Sequence, residues 1–96
     1  VQADVSSADA IRRLFAEARM AFGTVDILVN NAGIYEFKPL EAITEEHFHR
    51  QFNLNVLGLL LASQEAAKQF GPNGGNIINI SSVVATLGVP HGSVYS

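Results

Sequence analysis

Ninety-six residues, 48% of them apolar and carrying a formal charge of −3, can fold, but they are few for an α/β nucleotide-binding domain. The six Lys and Arg residues are scattered and build no basic face, which excludes nucleic acid as a partner. No apolar run approaches the roughly 20 residues of a bilayer-crossing helix, and the absence of cysteine excludes disulfides and thiolate chemistry.

The chain opens on Val1 inside what reads as a strand over residues 1–5, ending in Asp4 and Val5. Ser6, Ser7, Ala8 and Asp9 then offer a hydroxyl cap with an acid in the first turn, which predicts a helix start. Ile11, Leu14, Phe15, Ala18 and Phe22 recur at intervals of three and four and make one buried stripe, with Arg12, Arg13, Glu17 and Arg19 mostly off it. Gly23 ends the helix. Residues 26–30 are nearly continuous Ile, Leu and Val, as in a parallel strand covered on both faces, and residues 76–81 repeat that pattern after a Gly-Pro-Asn-Gly-Gly turn. Between them Thr44, Glu45 and Glu46 start a helix of about 25 residues that stops at Gly71 and Pro72. Strand alternating with helix predicts a doubly wound parallel sheet. The middle of the long helix, residues 56–62, is apolar all round, so its outer face needs cover from a second subunit or from another helix of the same protein.

Four groups stand out in chain order: Asn30-Asn31-Ala32-Gly33 closing one apolar run, Asn55 inside the long helix, Ser81 and Ser82 closing another run, and Tyr95 thirteen residues after Ser82. Each has an ordinary structural use. Two amides and two small residues can make a bare turn, Asn55 or its neighbour Asn53 can face solvent, paired serines can satisfy backbone groups at a strand end, and a lone tyrosine is usually structural. A hydrolase nucleophile is excluded at Ser82, since no Gly-x-Ser-x-Gly elbow surrounds it.

In order, spacing and setting these groups resemble the short-chain dehydrogenase/reductase family, in the subclass that writes Asn-Asn-Ala-Gly after its fourth strand. The resemblance covers the whole chain and implies a partial Rossmann-type α/β fold: the third to fifth strands and intervening helices of a doubly wound parallel sheet. Neither end reads as a natural terminus, so residues 1–96 are expected to be a central fragment of one dinucleotide-binding and catalytic domain. In the family's strand order, residues 1–5 and 26–30 are separated by two other strands and share no ladder.

The resemblance also implies an NAD(P)-dependent oxidoreductase moving a hydride between nicotinamide and a carbonyl or hydroxyl carbon. Tyr95 takes the place of the proton-transferring phenol, Ser82 that of the hydroxyl that bonds the substrate oxygen, and Asn55 that of the asparagine associated with a local helix distortion. A phenol is poorly ionised at neutral pH, so an alcohol-oxidising base needs nearby positive charge. The family's lysine for that role comes four residues after the tyrosine, beyond Ser96. Asn31, Ala32 and Gly33 correspond to the segment under the cofactor ribose, and Asp4 and Val5 to the adenine contact. NAD or NADP is the expected cofactor, with a small carbonyl or alcohol substrate. The expected setting is cytoplasmic, with no membrane partner and a homo-oligomer, dimer or tetramer, through the long helix. His47 and His49 stand two apart on a helix and project from different sides; with His91 they make no i, i+4 pair, so no metal site is expected. The alternatives are a non-catalytic nucleotide-binding or regulatory protein of the same fold and an inert interaction fragment; the isolated chain is expected to be inactive.

Overall fold

A computed structural model describes all of residues 1–96. The first helix, α1 (Ala8–Phe22), starts where Ser7 sits in extended backbone and its Oγ accepts from the Ala10 N–H at 3.3 Å. It ends at Gly23, whose φ of 88° is a left-handed value, and whose N–H donates to the Arg19 carbonyl at 2.9 Å. Ile11 and Phe15 are buried on its inner stripe, but Phe22 is 88% exposed and does not belong to it. The reason is length: Gln69, the last residue of the helix packed on α1, already lies against the Phe15 carbonyl (3.1 Å), so the final turn of α1 has nothing opposite it.

Two strands, β1 (Ile27–Asn30) and β2 (Asn76–Asn79), pair in parallel, Ile27 opposite Asn76 through Asn30 opposite Asn79. The ladder runs one bond further at each end, from the Asn76 N–H to the Asp26 carbonyl and from the Ile80 N–H to the Asn30 carbonyl, both 3.0 Å. Parallel pairing demands a crossover, supplied by one continuous helical stretch: α2 (Glu45–Phe52), a π-helical segment over Asn53–Gly58, and α3 (Leu59–Gln69). Thr44 caps it, its Oγ1 accepting from the His47 N–H at 3.1 Å, and Glu45 and Glu46 in the first turn oppose the helix dipole. At the far end the Phe70 N–H reaches back to Ala66 before Gly71 and Pro72 prevent continuation.

Residues 1–5 bond to neither strand and run unpaired, because a strand exists only through a ladder and no neighbour here supplies one. The core is small: Ile11 and Phe15 of α1 against Ala62 and Ala66 of α3, with Val5, Val25, Leu28, Leu61 and Phe70 at its margin. The two alanines, one helical turn apart, let α1 approach α3 closely. Leu28 faces this core, whereas Ile27, Val29, Ile78 and Ile80 are exposed. With eight residues buried and a radius of gyration of 15.5 Å, against about 12.5 Å for a compact domain of this length, the chain is extended around an open sheet. No helix is long and apolar enough to cross a membrane.

Candidate functional site

The carboxyl ends of β1 and β2 lie side by side, so the residues that follow each strand emerge together. Asn30 braces this edge: its Nδ2 donates to Asn79 Oδ1 across the ladder (2.9 Å) and to Ser63 Oγ on α3 (3.1 Å), and Ser63 in turn donates to the Leu59 carbonyl. Asn30 is thus consumed in tying strand to strand and sheet to helix. Asn31, Ala32 and Gly33 follow it along the wall of a cavity of about 360 Å³.

The π-helical segment over Asn53–Gly58 supplies the second wall. A π turn inserts one residue into the helical repeat and re-aims the side chains around it. Asn55 grips the backbone of Ile34 with both ends of its amide, Nδ2 donating to the Ile34 carbonyl at 2.7 Å and Oδ1 accepting from the Ile34 N–H at 2.9 Å. A Cβ at Gly33 would stand 3.3 Å from Asn55 Oδ1, tight enough that the amide would have to give by a few tenths of an ångström. Asn53 makes no comparable bond; the amide fastening the loop belongs to Asn55.

Ser82 leaves β2 in extended backbone and caps a short 3-10 turn (Val83–Ala85), its Oγ accepting a long 3.4 Å bond from the Val84 N–H. That bond uses a lone pair and leaves the hydroxyl proton free to donate. Tyr95 sits in a helical turn closed by the Ser96 N–H on the Gly92 carbonyl at 2.8 Å. Asn55, Ser81, Ser82 and Tyr95 line the same cavity as Asn31, Ala32 and Gly33. Its lining contains amides, hydroxyls, aliphatic groups and aromatic rings, and no charged side chain.

Asp4 and Val5 stand apart from this cavity. Asp4 is exposed, and its Oδ1 accepts from the Ser6 hydroxyl at 2.7 Å and the Ser6 N–H at 2.9 Å. Those two bonds, the hydroxyl's first, hold its carboxyl below the usual aspartate range. Val5 packs at the edge of the core, its carbonyl pressed on Gly58. A second, apolar cleft of about 250 Å³ opens between Val5, α1 and β1.

Sequence reasoning passed over Tyr35, Phe37, Gln51 and Gly58. The signal for the first two was the alternation Tyr-Glu-Phe-Lys directly after the Asn-Asn-Ala-Gly-Ile run. His47 is 1% exposed while His49 is exposed, so the two do project differently.

The family profile described as short chain dehydrogenase matches residues 1–96. An uncharacterized oxidoreductase of Methylorubrum extorquens is 55% identical over 96 residues, all of this chain and 38% of the relative. A hydroxynaphthalene reductase-like protein of Metarhizium acridum is 41% identical over 97 positions, all of this chain and 36% of the relative. Among solved structures, a short-chain dehydrogenase/reductase from Serratia marcescens superposes with a TM-score of 0.91 at 34% identity, covering 99% of this chain and 44% of the other. The chain therefore spans 36–44% of the length of these three proteins.

Proposed function

The chain belongs to the short chain dehydrogenases, and from that premise we propose that the full-length protein is an NAD(P)-dependent oxidoreductase acting between a carbonyl and a hydroxyl carbon. The observation that carries this reading is the convergence of Asn55, Ser82 and Tyr95 on one cavity with Asn31, Ala32 and Gly33. Asn31, Ala32 and Gly33 would hold the ribose of the nicotinamide half, and Asp4 and Val5 the adenine. When bound, the nicotinamide supplies or accepts the hydride.

The protein's own part is proton handling and orientation. The Ser82 proton, not committed within the chain, hydrogen-bonds the substrate oxygen and stabilises the charge that develops there. The Tyr95 phenol gives that oxygen its proton in reduction, or takes it back in oxidation. Asn55 fixes the height of the loop after Gly33 against the helix, and with it the wall on which the cofactor rests. Val56, Leu57 and Leu60 remain exposed on the long helix, and a second copy of the protein would cover them. In the full-length protein Tyr95→Phe should remove carbonyl reduction and leave NADH or NADPH affinity unchanged. Unaltered turnover in that variant refutes the assignment.

A further inference from the structure

The stretch from Ile34 to Lys38 carries aromatic groups that the proton chemistry does not use. Its backbone is fastened at every second residue: Ile34 to the Asn55 amide, the Glu36 N–H to Gln51 Oε1 at 3.1 Å, and the Lys38 N–H to the His91 carbonyl at 2.9 Å. Fastenings with that period belong to an extended strap seated along one edge, whose side chains alternate between its two faces. Glu36 and Lys38 lie together on one face with their charged ends 3.6 Å apart. Tyr35 and Phe37 share the other, with ring centroids 5.7 Å apart.

The seat of the strap is buried. Gln51 and His47 are both 1% exposed, and because Gln51 Oε1 is taken by the Glu36 N–H, its Nε2 donates to His47 Nε2 at 3.1 Å. His47 Nε2 is thus an acceptor, while its buried Nδ1 makes no hydrogen bond and stands 3.6 Å from Glu36 Oε2; Arg50 reaches the same carboxylate oxygen at 3.4 Å. His91, which receives the Lys38 N–H on its carbonyl, holds a left-handed φ of 59°.

Tyr95 closes the group. Its ring centroid is 5.9 Å from Tyr35 and 6.1 Å from Phe37, with planes inclined at 58° and 71°. Tyr35 is nevertheless 70% exposed and Phe37 48% exposed, and Tyr35 lines the cavity that holds Ser82 and Tyr95. Three tilted rings, two of them open and carried on a fastened backbone, offer faces and edges that complement another flat ring.

We propose that Tyr35 and Phe37 are specificity-determining residues that select carbonyl substrates bearing an aromatic ring, the ring resting on this wall while the carbonyl oxygen meets Tyr95 and Ser82. The proposal rests on the reading of Tyr95 as the proton donor. The test uses the full-length protein with acetophenone and its saturated counterpart, cyclohexyl methyl ketone, as substrates. Wild type should favour the aryl ketone by about tenfold in kcat/KM, the scale on which ring pairing exceeds simple burial. Tyr35→Leu/Phe37→Leu keeps apolar bulk and should bring the two ketones to within about twofold, mainly by lowering kcat/KM for acetophenone. Equal reactivity of the two ketones in wild type, or an undiminished preference in the Leu variant, overturns the proposal. Binding of benzamide against cyclohexanecarboxamide, followed by NMR titration, separates the two readings because it needs no turnover. Benzamide preference that survives Tyr95→Phe but disappears in the Leu variant supports the wall even where the assignment of Tyr95 fails. Benzamide binding indifferent to the two rings overturns the wall even where Tyr95→Phe abolishes reduction.

Discussion

Gly58→Ala is a substitution whose sign the structure decides. Gly58 has an ordinary helical φ of −58°, and replacing glycine by alanine at such a position normally stabilises a helix by about 1 kcal/mol. Here the added Cβ would stand 3.2 Å from the Val5 carbonyl carbon, closer still to its oxygen, and 3.4 Å from the Asn53 carbonyl oxygen. The obstacle is backbone, which cannot rotate away as a side chain can, so residues 4–6 must shift by at least about half an ångström. Overpacking of that kind costs about 1–3 kcal/mol, which exceeds the gain in helix propensity and leaves a net loss of about 1 kcal/mol. A loss of that size lowers the melting temperature of the full-length protein by a few degrees. Because Val5 and Asp4 hold the proposed adenine contact, cofactor affinity should weaken by about fivefold, with kcat at saturating cofactor little changed. Gly88→Ala, where nothing lies within 4 Å, is the control for a harmless added methyl group. Thermal melting together with a cofactor titration checks both halves. A Gly58→Ala protein as stable as wild type, with unchanged cofactor affinity, would show that the Val5 contact constrains nothing.

Asn55→Ala leaves the N–H and carbonyl of Ile34 without their partners and should cost about 1–3 kcal/mol in a denaturant melt, whereas Asn53→Ala should cost well under 1 kcal/mol; equal effects would count against the loop clamp. The Asp4 carboxyl titrates below the ordinary aspartate value, so the turn it closes is fully formed above that value and loosens as pH falls through the lower one. An NMR titration should find its midpoint depressed in the wild type and raised towards the ordinary range in Ser6→Ala; a midpoint indifferent to Ser6 refutes the cause. Leu57→Lys/Leu60→Lys places charges on the exposed face of the long helix and should convert an oligomer to monomers in sedimentation velocity. The 96-residue chain alone should give no saturable fluorescence titration with NADH or NADPH, and a clear one contradicts the fragment reading.

What was legible in the sequence was local. Ser7, Gly23 and Thr44 announced helix ends because a cap is a bond between a side chain or a turn and the backbone within about four residues of it. The apolar runs announced β1 and β2 for a similar reason, though the ordered pairs are shorter than the runs, since a strand extends only as far as its partner does. Phe22 fitted the helical repeat and still lies outside the core, because periodicity gives a face and says nothing of what stands opposite it. Tyr35 and Phe37 could not be placed, since their common face follows from fastenings to Asn55, Gln51 and His91, which lie 15 to 53 residues further along the chain. The burial of His47 has the same origin: the two-residue spacing from His49 separates their faces, but which face is covered follows only from Gln51, one turn on, bonding the Glu36 N–H.

The π-helical segment explains why so many of these fastenings meet. Within six residues it presents Asn55 to the loop after β1 and Gly58 to the chain after Val5, so it serves both parts of the proposed cofactor site. A regular α-helix repeats every 3.6 residues and would set the side chains of α2 and α3 in one phase. Inserting one residue at Asn53–Gly58 breaks that phase: α2 can bury Gln51 and His47 under the strap while α3 buries Ala62 and Ala66 against α1. The two halves of the long helix thus answer to different partners, and the distortion between them is where Asn55 grips Ile34. Were the same residues wound as a regular α-helix, without the π turn, α2 would turn by about 100° relative to α3 and could no longer seat the strap and the core at their present angles.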